Sequence, residues 1–150
     1  MYPWLLALHS ILRWVVVLAG LVAVFRAFRG GAWSPSDEAA GKWYGISLDV
    51  QMLLGLLLYG IFSPVTYAAF ADMGAAMRDA TLRFYVVEHV TLMVAALAVA
   101  HVGKARVRKA ATDAARFRAA AIFYTISLLL VLLATPWPFR EAGRPLLPSL

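Results

Sequence analysis

Residues 82–101, LRFYVVEHVTLMVAALAVAH, restrict most what this chain can become. At about 20 mostly apolar residues, the run is long enough to cross a bilayer as one helix. It nevertheless carries Arg83, Glu88 and His89 at one end. Ionisable groups in a spanning helix are costly, so each is a candidate functional residue by default.

Three more runs share this character, at residues 4–28, 43–62 and 119–135. The chain is 63% hydrophobic with mean hydropathy +0.76, where a soluble domain is nearer half apolar. The predicted fold is therefore all-α: one integral membrane domain over residues 1–150, built as an up-down-up-down four-helix bundle. The N-terminal run has no basic segment before it, its first Lys or Arg being Arg13, and it outlasts a signal-peptide core. It is expected to remain as a helix.

Gly30-Gly31 ends the first helix, and Ser34-Pro35-Ser36 reads as a turn. Ser36 with Asp37 and Glu38 suggests a capped, short interfacial helix. The connection before Leu82 is long enough to hold a short helix of its own. The basic, Ala-rich stretch 103–118 reads as a helical extension or an amphipathic surface helix, and the Pro-containing tail after Thr135 as irregular.

The net charge of +6 is no sign of nucleic-acid binding, because its clusters flank the apolar runs and report topology. Nine Lys and Arg lie at the two connections 26–42 and 104–118, against four at the opposite ends (Arg78, Arg83, Arg140 and Arg144). That bias puts both termini outside the cytoplasm. Trp4, Trp43 and Trp137 fit interfacial belts.

Cysteine is absent, which removes disulfides, Cys-ligated zinc and iron–sulfur clusters. Phosphate-cradling glycine loops, HExxH and GxSxG are absent too. The nitrogen ligands available are His9, His89 and His101. At 1.5 Å per residue His9 lies roughly 8 Å into helix 1 and His89 roughly 9 Å into helix 3, at similar depth near the outer face. Helices 1 and 3 are diagonal in an up-down ring, farther apart than the 8–10 Å of touching helices. A flat macrocycle fits such a slot, and bis-His haem needs it. Arg13, one turn from His9, and Arg83, near the mouth, are candidate partners for propionates.

Each feature also has a purely structural reading. The two histidines serve equally as interhelical hydrogen-bonding residues, Arg13 and Glu88 as a buried ion pair, and His101 as a solvated group beside Lys104. Ser47, Gln51, Gly55 and Tyr59 form one stripe on helix 2, read first as interhelical glue and second as a quinone head-group site or proton path. Asp49 is expected to face His101 or the basic loop. Tyr124, Ser127 and Thr135 read as packing residues.

Several stretches carry a family likeness: Leu8-His9-Ser10-Ile11-Leu12-Arg13-Trp14; Gln51 with Gly55 and Tyr59; Arg83-Phe84-Tyr85-Val86-Val87-Glu88-His89; residues 111–117 leading to Ile122-Phe123-Tyr124-Thr125; and Pro136-Trp137-Pro138-Phe139. Together they resemble a family of small four-helix bacterial membrane proteins often labelled "cytochrome b". The resemblance covers nearly the whole chain. It implies a four-helix bundle and suggests haem, with the family's intramembrane histidines falling on His9 and His89. The first reading is accordingly a b-type electron carrier of the bacterial inner membrane, with haem b between His9 and His89 and a quinone or redox-protein partner. Some members are expected to carry a third His near position 49, where this chain has Asp49, a departure that argues against a second haem. Two other readings stand beside the electron carrier. One is a non-catalytic accessory subunit of a larger respiratory or photosynthetic complex. The other is an ion-conducting bundle using Glu88, His89 and Arg13, ranked last because no continuous polar path leads from them.

Overall fold

Nothing in the first apolar run favours leaving the helix before Gly30. In the computed structural model, which describes residues 1–148, α1 spans Tyr2–Ala27 and stops ahead of Gly30 and Gly31. Their φ values of 69° and 84° lie where side chains with a Cβ are disfavoured. The next helix, α2, spans Pro35–Leu57 and continues through a π-helical turn, Leu58–Phe62. The expected separate interfacial helix capped by Ser36 is not formed. Ser34 is the N-cap, Pro35 occupies the first turn, and Asp37 accepts from the Ser34 N–H (2.9 Å) and hydroxyl (2.6 Å). Proline's fixed φ suits the first helical position, so α2 starts there and runs on without a break. Asp37 also accepts from Arg26 Nε (3.0 Å) and Arg29 Nη2 (2.8 Å), tying the start of α2 to the end of α1.

The long connection resolves into three short helices: α3 (Pro64–Ala71), α4 (Met73–Ala76) and α5 (Ala80–Arg83). Each begins at a residue whose side-chain oxygen accepts a first-turn N–H, Ser63, Asp72 and Asp79 respectively. A second π-helical turn, Phe84–Glu88, leads into α6 (His89–Lys109). This helix outlasts the expected stop at His101 by two turns, with Arg106, Arg108 and Lys109 placed where cations suit a helix C-terminus. The last helix, α7, starts early, spanning Asp113–Ala134 with Thr112 as its cap.

Four helical stretches, Tyr2–Ala27, Pro35–Phe62, Ala80–Lys109 and Asp113–Ala134, are long and apolar enough to cross a membrane, with mean hydropathy of 1.7 to 2.1. At 1.5 Å per residue they are roughly 33–45 Å long, against a hydrocarbon core of about 30 Å. Their outward faces carry large apolar side chains, among them Leu18, Phe25, Leu53 and Leu129. No strand occurs among the described residues.

The helices pack as a ring: α1 against α2 and α7, α6 against α7 and α2. The core between them holds Val16, Tyr44, Leu48, Ala96 and Tyr124. The small residues Gly20, Ala23 and Ala27 serve close packing; a Cβ on Gly20 would lie 2.8 Å from Leu128 and 2.9 Å from the Tyr44 ring. Ser127 donates to the Ala96 carbonyl and shares a 2.8 Å hydrogen bond with the Tyr44 hydroxyl, joining α7, α6 and α2.

Candidate functional site

The start of α1, the end of α2, the start of α6 and the end of α7 enclose a cavity of about 110 Å³. A water needs about 10–15 Å³ and a drug-sized ligand about 300 Å³ or more. The cavity lies between these limits. His9 and His89 both line it, as do Arg13 and Arg144. Both π-helical turns reach it, through Leu58 and Tyr59 on one and Tyr85 on the other. Such turns insert an extra residue into a helix and recur at functional sites.

The imidazole rings of His9 and His89 stand 6.3 Å apart, centroid to centroid, with their planes at 72°. His89 Nδ1 lies 2.7 Å from the carbonyl oxygen of Ala134. A carbonyl only accepts, so Nδ1 carries the proton and Nε2 keeps the lone pair. This is the tautomer of a metal-ligating histidine oriented by its backbone partner. On His9, Nδ1 is buried without a hydrogen-bond partner among the described residues. Its Cε1 faces Gly55, where a Cβ would come within 3.2 Å, so the glycine leaves the ring its space. Gln51 Nε2 donates to the His9 carbonyl at 2.9 Å, fixing α1 against α2 at this level.

The charged residues are distributed differently from expectation. Arg13 does not pair with Glu88. Its Nη2 donates to the carbonyl of Leu146 in the C-terminal tail (2.7 Å), and its Nε is buried without a partner. Glu88 instead accepts from Arg83 Nε at 2.9 Å. At a five-residue spacing the two meet because the π-helical turn between them widens the helix. That pair is outside the cavity lining, so the structure does not bring Arg83 to the histidines.

Arg144 is the residue that sequence reasoning missed. The tail after α7 folds back tightly, with Arg144 N–H donating to Pro136 O and Trp137 Nε1 to Leu132 O. Gly143 sits in the bend, where a Cβ would meet the carbonyl oxygens of Trp137 and Arg140 at 2.5 and 2.6 Å. Arg144 Nε then donates to the Tyr85 hydroxyl (2.7 Å), which itself donates to Ala142 O (2.7 Å). Burial works against the Arg144 cation, but the Tyr85 and Tyr2 hydroxyls outweigh it and raise its pKa above the ordinary value. No sequence signal separates Arg144 from the other tail residues.

The remaining polar residues behave mostly as glue. Tyr59 donates to Val86 O (2.9 Å) and Ser47 to Tyr44 O (2.8 Å). His101 lies 2.8 Å from Asp49, both about half exposed on the outside of the α2–α6 face. Thr135 donates to Val131 O. Among the described residues no three His, Asp or Glu side chains converge, so His9 and His89 are a two-nitrogen donor set, short of a structural zinc site.

His9 and His89 are the residues that would hold a haem iron, were one bound. The volume suits a macrocycle only when lining side chains swing aside, and Met52 and Met93, unbranched and flexible, are among them. No protein-family model, curated protein or solved structure matches this chain, so the resemblance to the "cytochrome b" family rests on the quoted motifs alone.

Proposed function

We propose that the chain is a b-type haem-binding protein of the bacterial inner membrane, in which His9 and His89 would hold the iron. The observation that carries this reading is the pair of imidazoles facing one cavity at 6.3 Å, one of them held by Ala134 in the ligating tautomer. When bound, haem supplies reversible one-electron chemistry. The protein's part would be to present the His9 and His89 imidazoles to the iron, exclude water with an apolar wall, and meet carboxylates with Arg13 and Arg144. An up-down-up-down course is supported by the cavity itself, since it is lined by the beginnings of α1 and α6 and the ends of α2 and α7. The nine-to-four charge bias supports both termini outside the cytoplasm.

The test is a reduced-minus-oxidised absorption spectrum of protein purified from haem-supplied cells, with haem per chain measured. Sharp reduced bands at one haem per chain, abolished in His9→Ala and His89→Ala, are expected. A colourless protein, or an unchanged spectrum in His89→Ala, rejects the assignment.

One observation favours an accessory-subunit role for the same chain. The Asp49–His101 pair is exposed on the outer face of α2 and α6, where lipid solvates charge poorly and a partner subunit would cover it. Co-purification of a stable complex, disrupted by Asp49→Leu, is the corresponding result.

A further inference from the structure

Among the described residues, the cavity is lined by two guanidinium groups and no carboxylate. Arg13 is only 8% exposed and, among the described residues, has no salt-bridge partner; its Nη2 meets a neutral carbonyl and its Nε has no hydrogen-bond partner there. Arg144, carried in by the folded tail, bonds a neutral phenol. No Asp or Glu lines the cavity. Among the described residues, the acidic side chains paired with a guanidinium are paired elsewhere: Glu88 with Arg83, Asp37 with Arg26 and Arg29, and Asp113 with Arg116. A buried cation without a counter-charge is expensive, and two facing one cavity are more so. A guanidinium presents a planar fork that matches a carboxylate.

We infer that Arg13 and Arg144 form a carboxylate clamp on the lining of the histidine cavity, with the C-terminal tail as its removable wall. Arg13 contributes a rigid half, fixed on α1. Arg144 contributes a half that arrives only when residues 136–144 are folded back. The carboxylate has two possible sources: the propionates of a haem, which rests on the function proposed above, or a free carboxylate anion, which does not.

The experiment uses the purified full chain in a neutral detergent. In one arm the protein is titrated with protohaem and with its dimethyl ester, followed by Soret absorbance. In the other, haem-free protein is titrated with benzoate, followed by the fluorescence of Trp14 and Trp137, whose rings are 6.2 Å apart beside the tail. If the propionates are the occupant, the ester binds the unaltered protein at least tenfold more weakly than protohaem. Arg144→Gln then weakens protohaem by a similar factor and the ester hardly at all. If a free anion is the occupant, benzoate gives a saturable change that Arg144→Gln abolishes. Equal binding of protohaem and ester by the unaltered protein, with no benzoate response, overturns the clamp while leaving the haem reading intact. A benzoate response without binding of either haem form does the reverse. The acid-to-ester comparison needs no variant, so it survives any folding defect in Arg144→Gln.

Discussion

Gly55 and Asp37 each set a contact between two helices. Gly55 gives His9 its room: a methyl there lies 3.2 Å from the ring, and a larger side chain occupies the ring's own volume. Gly55→Leu is therefore expected to remove the His9-dependent part of any haem spectrum while far-ultraviolet circular dichroism stays helical. Asp37 is 3% exposed and accepts four hydrogen bonds, from Arg26, Arg29 and both the amide and hydroxyl of Ser34. Its partners, two guanidiniums, an amide and a hydroxyl, lose their acceptor together in Asp37→Ala. A loss of about 1.5–3 kcal/mol is expected, seen as a lower Tm in detergent. The sequence showed Asp37 as a helix-start residue, but not its two arginine partners, because their meeting depends on how α1 ends at Gly30.

Between helices, α6 and α7 rely on close approach. A Cβ on Gly103 would collide with Phe123 Cβ and lie 3.2 Å from its Cγ. Gly103→Ala must push the two helices apart, at an expected cost of about 1–3 kcal/mol, the range for overpacking. Ser127 tests the polar contacts: Ser127→Ala leaves the buried Tyr44 hydroxyl unpaired, whereas Tyr44→Phe combined with Ser127→Ala leaves none. The double variant is expected to recover part of a single-variant loss of about 0.5–2 kcal/mol, measured by thermal unfolding. These helices were legible from their apolar runs, and their interior boundaries were not. The π-helical turns at 58–62 and 84–88 have no local signature, because the extra residue in each is accommodated by packing around the cavity.

For the molecule as a whole, orientation is the first question, and the absence of cysteine makes it direct. Single-cysteine variants Ala111→Cys and Ala75→Cys, both exposed, sit at opposite ends of the bundle. A membrane-impermeant thiol reagent added to intact cells is expected to label position 75 and spare 111; the opposite pattern inverts the topology. The helical class, the four long apolar stretches and the arrival of His9 and His89 at one end were readable along the chain. They depend on length, hydrophobicity and a rise of 1.5 Å per residue, all local quantities. Which charges pair was decided only in three dimensions. Arg13 meets a carbonyl 133 positions away rather than Glu88, Glu88 takes Arg83 across a widened turn, and Arg144 enters a cavity built by four other helices. Side-chain direction and the fold-back of the tail govern those contacts, and neither is encoded in the hydrophobic pattern of any single segment.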